Sequence, residues 1–317
     1  MTQEFDVPEF DAFDRRLLDS LEDGSELKEN VRRRLEEYHI GRREMRPGKR
    51  RARPPKKLRE SSGVALYLED ISVSFDGFQA LDRLTMYVNE GELRCVIGPN
   101  GAGKTTMMDV MTGKTRPDKG SAWFTQEYDL LTMDEVDIVE AGICRKFQKP
   151  SIFESLDVVR NLELALRTDK GVRATLLFRL RGEDADFLEH VLERIHLRDQ
   201  RAVLAGQLSH GQKQWLEIGM LLMQKPRLLL LDEPVAGMSP QEVDHTVELL
   251  HDIEGEQSII LVEHDMEFVR AVARRVTVLH QGKVLAEGDM EQVRNDPAVV
   301  TAYLGENVAE GAEKKSC

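Results

Sequence analysis

The run GPNGAGKTT, Gly98 to Thr106, limits what this chain can fold into more than any other stretch. It fits the pattern G-x-x-x-x-G-K-[ST], with the apolar run Leu93 to Ile97 leading in and the helical pattern KTTMMDVMTG leading out. Strand, glycine loop and helix in that order form a cradle for phosphate. Gly98, Gly101 and Gly103 leave the backbone free to turn its N–H groups toward phosphate oxygens, with Pro99, Asn100 and Ala102 completing the curl. Lys104 is expected to reach the β- and γ-phosphates and the Thr105 hydroxyl to ligate Mg²⁺, with Thr106 beside it. The loop implies a nucleoside triphosphate ligand, with Mg²⁺ as cofactor.

The acid that completes such a site belongs at the end of a buried strand, and LLLLDEP supplies it. Asp232 follows four leucines and is expected to hold Mg²⁺; Glu233 next to it is placed to accept a proton from an attacking water, and Pro234 stops the strand. Around these motifs short strands alternate with helices. ALYLEDISVSF, LTMYV, LRCVIG, SAWF, ICRKF, RLLLLL and SIILV read as strands, and VTVLHQGKVLAEG as a hairpin. Residues from about Val158 to Leu197 read as mainly helical, broken near RLRGEDAD. Further helices are expected from Ser209, from Pro240 to His251 and from near Met266. Runs of continuous Leu, Ile and Val predict a sheet covered on both faces, hence an α/β fold.

Charge sets the bounds on partners. The formal net charge is −13, and the body is acidic enough to disfavour a nucleic-acid-binding core. The first thirty residues are acidic and the next thirty are basic and proline-rich. Residues 1–63 therefore read as a disordered charged extension, whose basic half would suit anionic lipid headgroups or an acidic partner. The three cysteines, Cys95, Cys144 and Cys317, lack disulfide or zinc spacing, and Cys95 reads as a small buried hydrophobe. The chain carries no apolar run near the ~20 residues of a membrane span and no export signal, so a cytoplasmic protein is expected.

A second anion site is legible at LSHGQKQWLEIGM. Ser209 can cap the helix that follows, and Gly211 allows another group close to its backbone. Such a helix start favours an anion. With this motif in place, the spacing of the whole stretch from 64 to 305 resembles the ATP-binding cassette (ABC) family. LSHGQ, with Ser209, Gly211 and Gln212, looks like that family's signature motif. RKFQKP places Gln148 where the family has its Q-loop, and LVEHDM places His264 where it has its switch histidine. Phe75, in SVSFDGF, stands where the family stacks an aromatic on adenine, with Phe78 as the second choice and burial in the core as the plain alternative.

What this resemblance implies is a phosphate-loop NTPase core of ABC type at residues 64–317, with a mixed sheet, an antiparallel β part and a helical lobe at about 150–225. It implies ATP with Mg²⁺ held between two cassettes, identical or related. Lys104, Thr105, Gln148, Asp232, Glu233 and His264 come from one, and the Ser209 signature from the other. Gln148 would assist as a ligand to Mg²⁺ or the water, and His264 would hold the γ-phosphate, the water and Glu233 in place. Two membrane permeases and an external solute-binding protein would complete an importer, with the chain peripheral on the inner face of the membrane.

Two departures stand out: His210 where many members have glycine, and VAGMSPQE without the acid that commonly contacts the partner cassette, where Ser239 or Gln241 could substitute. CRKFQKPSIFESLDV and DEPVAGMS resemble the branched-chain amino acid and urea importer group. Trp215 and the run MMDVMTGKTRPD most resemble its urea-type ATP-binding subunit. Branched-chain amino acids or short amides remain alternative cargoes, since an ATPase subunit does not touch the solute. Other classes fit less well: there are no sustained heptads between the phosphate loop and the signature, only one phosphate loop, and no guanine-reading N-K-x-D.

Overall fold

The computed structural model describes residues 58, 63–146, 151–166 and 182–302. The expectation of disorder over 1–63 falls, apart from Leu58 and Gly63, outside these residues, as do Gln148 and the segment 167–181 of the expected helical lobe. Leu58, placed by the sequence reading in the tail, is buried against Val64, Tyr67 and Trp123, and its carbonyl accepts from the Gln126 side chain at 3.0 Å.

From Val64 onward the described residues form the long hairpin β1 (Val64–Phe75) and β2 (Phe78–Asn89), then β3 (Leu93–Ile97) and helix α1 (Lys104–Met111). β4 (Lys119–Phe124), β5 (Tyr128–Asp129), α2 (Glu135–Ala141) and β6 (Ile143–Lys146) follow. Among the described residues the helices α3 (Val158–Ala165), α4 (Glu183–Arg194) and α5 (His210–Leu222) come next. The last part runs β7 (Leu228–Asp232), α6 (Pro240–Ile253), β8 (Ser258–Val262), α7 (Met266–Val272), β9 (Arg275–His280), β10 (Lys283–Gly288) and α8 (Met290–Asn295).

Two sheets result. β2-β1-β4-β5 is antiparallel throughout, and β10-β9-β3-β8-β7-β6 is parallel except at its β10 edge. The expected mixed α/β architecture is thus divided, with the hairpin β1–β2 joined by β4 and β5 in an antiparallel sheet separate from the mainly parallel one. The leucine run of β7 shows why its apolar pattern is continuous. Leu228 and Leu230 face one core with Val96, Ile260 and Met107, while Leu229 and Leu231 face another with Cys95, Ile259 and Leu261. Successive side chains of a strand point to opposite faces, so a strand covered on both needs no polar position. Cys95 is buried in the second of these cores, as expected.

The same core receives α3, α4 and α5 through Leu162, Val191 and Trp215. Trp215 is buried, and its indole N–H donates to the Thr246 hydroxyl of α6 at 2.9 Å. Its ring lies beside His245, 5.6 Å between centroids, and His196 at 6.1 Å. Trp215→Ala should therefore destabilise the fold by about 3–5 kcal/mol through the cavity it leaves. Chemical denaturation monitored by far-ultraviolet dichroism checks this, and a loss below 1 kcal/mol would contradict the packing role.

The parallel sheet positions the motifs. β3, β8, β7 and β6 lie side by side in that order. Their carboxyl ends lead respectively to the glycine loop, His264, Glu233 and the segment containing Gln148. In an open parallel sheet the carboxyl ends of the strands form the ligand-binding edge.

Candidate nucleotide site

Gly98 and Gly103 cannot be replaced without disturbing the loop. A Cβ on Gly98 would lie 2.2 Å from the Leu279 carbonyl oxygen of β9, and one on Gly103 would lie 2.7 Å from the Ala80 oxygen and from Leu81. Gly103 caps α1 in the left-handed region, φ 101°, and Gly101 also has positive φ, 77°. The loop is tied to its surroundings by Gly282, whose N–H donates to the Ala102 carbonyl and whose carbonyl accepts from Asp82 N–H, both at 3.0 Å. Lys104 lies across the loop, its Nζ donating to the carbonyls of Gly98 and Pro99.

Phe75 and Phe78 face each other across the Asp76–Gly77 turn of the hairpin, 48% and 65% exposed, so neither is a core residue. The β2 backbone that leaves Phe78 reaches the phosphate loop two residues later, at Ala80. An exposed aromatic pair beside a phosphate cradle offers a face for a base.

Asp232 ends β7, 4% exposed, and accepts a hydrogen bond from Arg145 at 3.2 Å. The same guanidinium binds Asp109 of α1, so Arg145 links the helix after the phosphate loop to the acidic strand. Glu233 has φ 46°, uncommon for a residue with a side chain, and its N–H donates to the Val262 carbonyl at 3.0 Å. His264 is exposed, with Nδ1 3.5 Å from Glu233 Oε1 and 3.8 Å from Glu263 Oε2. Glu263 is buried and accepts from His264 N–H at 3.1 Å and from Val235 N–H. Burial pushes its carboxyl up, opposed by the backbone N–H groups of His264, Val235 and Asp265.

Gln148 lies outside the described residues, but both flanks of its segment meet one acid. Glu217 of α5 pairs with Lys146 at 3.7 Å on one side and accepts from Ser151 N–H at 3.0 Å on the other. Burial lowers the Lys146 ammonium and raises the Glu217 carboxyl, each opposed by its partner.

At the signature, Ser209 caps α5 in a capping box with Gln212, as the sequence suggested. The group that approaches Gly211 is Glu242 of the same chain. Its Oε1 accepts from the Ser209 hydroxyl at 2.9 Å, and a Cβ on Gly211 would lie 2.4 Å from its carboxyl. His210 gains a setting, its Nε2 lying 3.1 Å from the Ala236 carbonyl in the loop after the acidic strand. Ser239, a suggested substitute for the missing acid, is committed to capping α6 with Glu242.

Sequence reasoning missed Arg145, Glu217, Glu242 and Glu263 as parts of this site. Only Glu242 left a trace, as the fourth residue of the helix-start pattern SPQE.

A relative from Pseudomonas aeruginosa, the high-affinity branched-chain amino acid transport ATP-binding protein BraF, is 35% identical over 76% of this chain and 98% of its own length. The chain belongs to the ATP-binding cassette transporter family. The profile described as ABC transporter matches residues 81–236 of the cassette, and one described as branched-chain amino acid ATP-binding cassette transporter matches 283–309. The LivG protein of Escherichia coli, with the same transport description, is 34% identical over 76% of the cassette and 98% of its own length. Among solved structures, the ADP conformation of MJ1267, an ATP-binding cassette of an ABC transporter, matches with a TM-score of 0.66 and 30% identity. That match covers 76% of this chain and 99% of MJ1267. The cassette is an ATPase subunit of this transporter family, and ATP is its ligand. No helix among the described residues is long and apolar enough to cross a membrane.

Proposed function

We propose that the cassette hydrolyses ATP between two head-to-tail copies or relatives, and so drives solute import through two membrane permeases. The observation that carries this is the row of adjacent strand ends that brings the glycine loop, Asp232–Glu233 and His264 to one edge of the sheet, next to the end of β6 at Lys146. The loop N–H groups and Lys104 bind the phosphates, and Phe75 with Phe78 receives the adenine. Glu233 takes the proton of the attacking water, and His264, 3.5 Å from it, holds that acid and the γ-phosphate in register. The Ser209 signature of the facing cassette closes the site and excludes water.

The donors present fit magnesium. Thr105 offers a hydroxyl on the first turn of α1 and Asp232 a buried carboxylate, while no cluster of three or more His, Cys, Asp or Glu ligands occurs among the described residues. A set this sparse suits an ion that takes most of its oxygens from phosphate and water. When bound, Mg²⁺ neutralises charge on the β- and γ-phosphates; Thr105, Asp232 and Gln148 would hold it.

For the cargo, the described relatives favour branched-chain amino acids over the urea reading drawn from Trp215 and MMDVMTGKTRPD. The packing of Trp215 against α6 weakens it as a marker of cargo. An external solute-binding protein would deliver the solute to permeases, with the cassette bound at the inner face of the membrane. Reconstitution with permeases and a binding protein of a branched-chain amino acid importer tests the cargo and the importer reading. ATPase activity should rise several-fold with leucine, isoleucine or valine. Stimulation by urea alone would reverse the cargo, and none by either would remove the importer reading for these solutes.

A further inference from the structure

The signature serine is already engaged in the single chain. Ser209 Oγ donates to Glu242 Oε1 at 2.9 Å, and the same carboxyl lies against Gly211, where a Cβ would be 2.4 Å away. Its other oxygen, Oε2, accepts from the N–H of Ser239 at 2.8 Å and from its hydroxyl at 3.0 Å. The acid therefore spans the N-terminal ends of two helices, α5 and α6. Its carboxyl is held below the usual glutamate range, chiefly by the Ser239 N–H, with further help from the hydroxyls of Ser209 and Ser239 and from the nearby His210. An anion thus occupies the serine and glycine of the signature that, in the proposed function, closes over the nucleotide of a facing cassette.

We propose that Glu242 is a displaceable latch on the signature, standing in for the γ-phosphate until a nucleotide-loaded partner cassette drives it off. This rests on the head-to-tail reading of the site. Two anions cannot share one hydroxyl donor, and side by side they repel. Sandwiching ATP must therefore cost the Ser209–Glu242 bond and move the carboxylate away from Gly211. The means to do so is present. Six residues along α5, Trp215 remains bonded to Thr246 of α6 at 2.9 Å, so the two helices can part at their N-terminal ends while staying joined deeper in the core. Only the γ-phosphate reaches the signature, so ATP, and not ADP, would release the latch.

Glu242→Gln isolates the charge. Glutamine serves the capping box through its single amide oxygen, so α6 keeps its start, and its NH2 group then faces Ser209 and can donate to the hydroxyl oxygen. The full-length chain is compared with and without Glu242→Gln in a Glu233→Gln background that retains the closed pair, by light scattering across an ATP titration. Ser209→Ala in the same background reports on the signature itself. Glu242→Gln should lower the ATP concentration for half-maximal pairing about tenfold, with unchanged melting temperature and unchanged ATP affinity of the single chain. Ser209→Ala should weaken pairing. If Ser209→Ala weakens pairing while Glu242→Gln leaves it unchanged or weakens it, the latch is wrong and the signature assignment stands. If Ser209→Ala has no effect, or the reference chain does not pair at saturating ATP, the head-to-tail reading falls and the latch with it.

Discussion

Glu233→Gln should reduce steady-state ATP hydrolysis about 10²- to 10⁴-fold, the usual contribution of a positioned general base, while ATP still binds. The side-chain change is confined to the one atom that takes the proton. The backbone of residue 233 is held independently, by φ 46° and by the N–H bond to the Val262 carbonyl, so the amide occupies the place of the acid. Lys104, Thr105 and Asp232 are untouched. The amide can still meet His264, now 3.5 Å from the carboxylate, so closure should proceed and the nucleotide should remain intact in a closed pair. Phosphate release and size-exclusion chromatography with ATP, run on the same sample, separate the two effects. Turnover within tenfold of the unchanged chain would remove Glu233 as the base. Loss of ATP binding would mean that the residue shapes the pocket.

How much of this site can be read from sequence depends on how far each constraint reaches along the chain. The glycine loop is legible because its needs are local. Gly103 must adopt positive φ to start α1, and Gly98 must let Leu279 approach; both appear as glycine in a fixed pattern. The burial of β7 and β8 on both faces is legible from their leucine and isoleucine runs, since a strand covered on both sides takes such runs; their order in the sheet is not. Arg145 shows the opposite case. Its neighbours are Asp109 and Asp232, 36 and 87 residues away, and nothing in ICRKF distinguishes this arginine from a surface one. Lys146 and Glu217 meet in the same way, across 71 positions and two different elements, and their burial cannot be inferred from helix α5's pattern alone.

Helix α2 is not legible as an apolar stripe because only Ile138 of its seven residues is buried; its local marks are Asp134 at the start, Glu135 and Asp137 in the first turn, and Gly142 at the end. Glu242 combines both situations. The capping box it makes with Ser239 is local and legible, whereas its bond to Ser209 joins residues 33 apart and appears only when α5 and α6 are packed. Trp215 carries a related lesson. A residue that marks a subgroup by sequence is, in the fold, a bridge between two helices, so it reports on packing and says nothing about cargo.

Lys104→Ala should weaken ATP binding by about 10- to 100-fold, corresponding to the roughly 1.5–3 kcal/mol of a hydrogen bond to a charged group. The ammonium lies on the carbonyls of Gly98 and Pro99, at the mouth of the loop. If Lys104 binds phosphate as proposed, binding would trade these carbonyl contacts for phosphate oxygens of the β- and γ-groups, and the gain would be the difference. The substitution also removes two bonds that brace the loop, so a fall in affinity alone does not identify the cause. The phosphate chain separates them. In the proposed site AMP would use the same aromatic pair and lacks the groups assigned to Lys104, so its affinity should be nearly unchanged, while ATP loses the full factor and ADP loses part of it. Calorimetric titration of all three ligands measures this. Equal losses for AMP and ATP would show that the lysine acts by holding the loop, and an unchanged ATP affinity would remove it from the phosphate site.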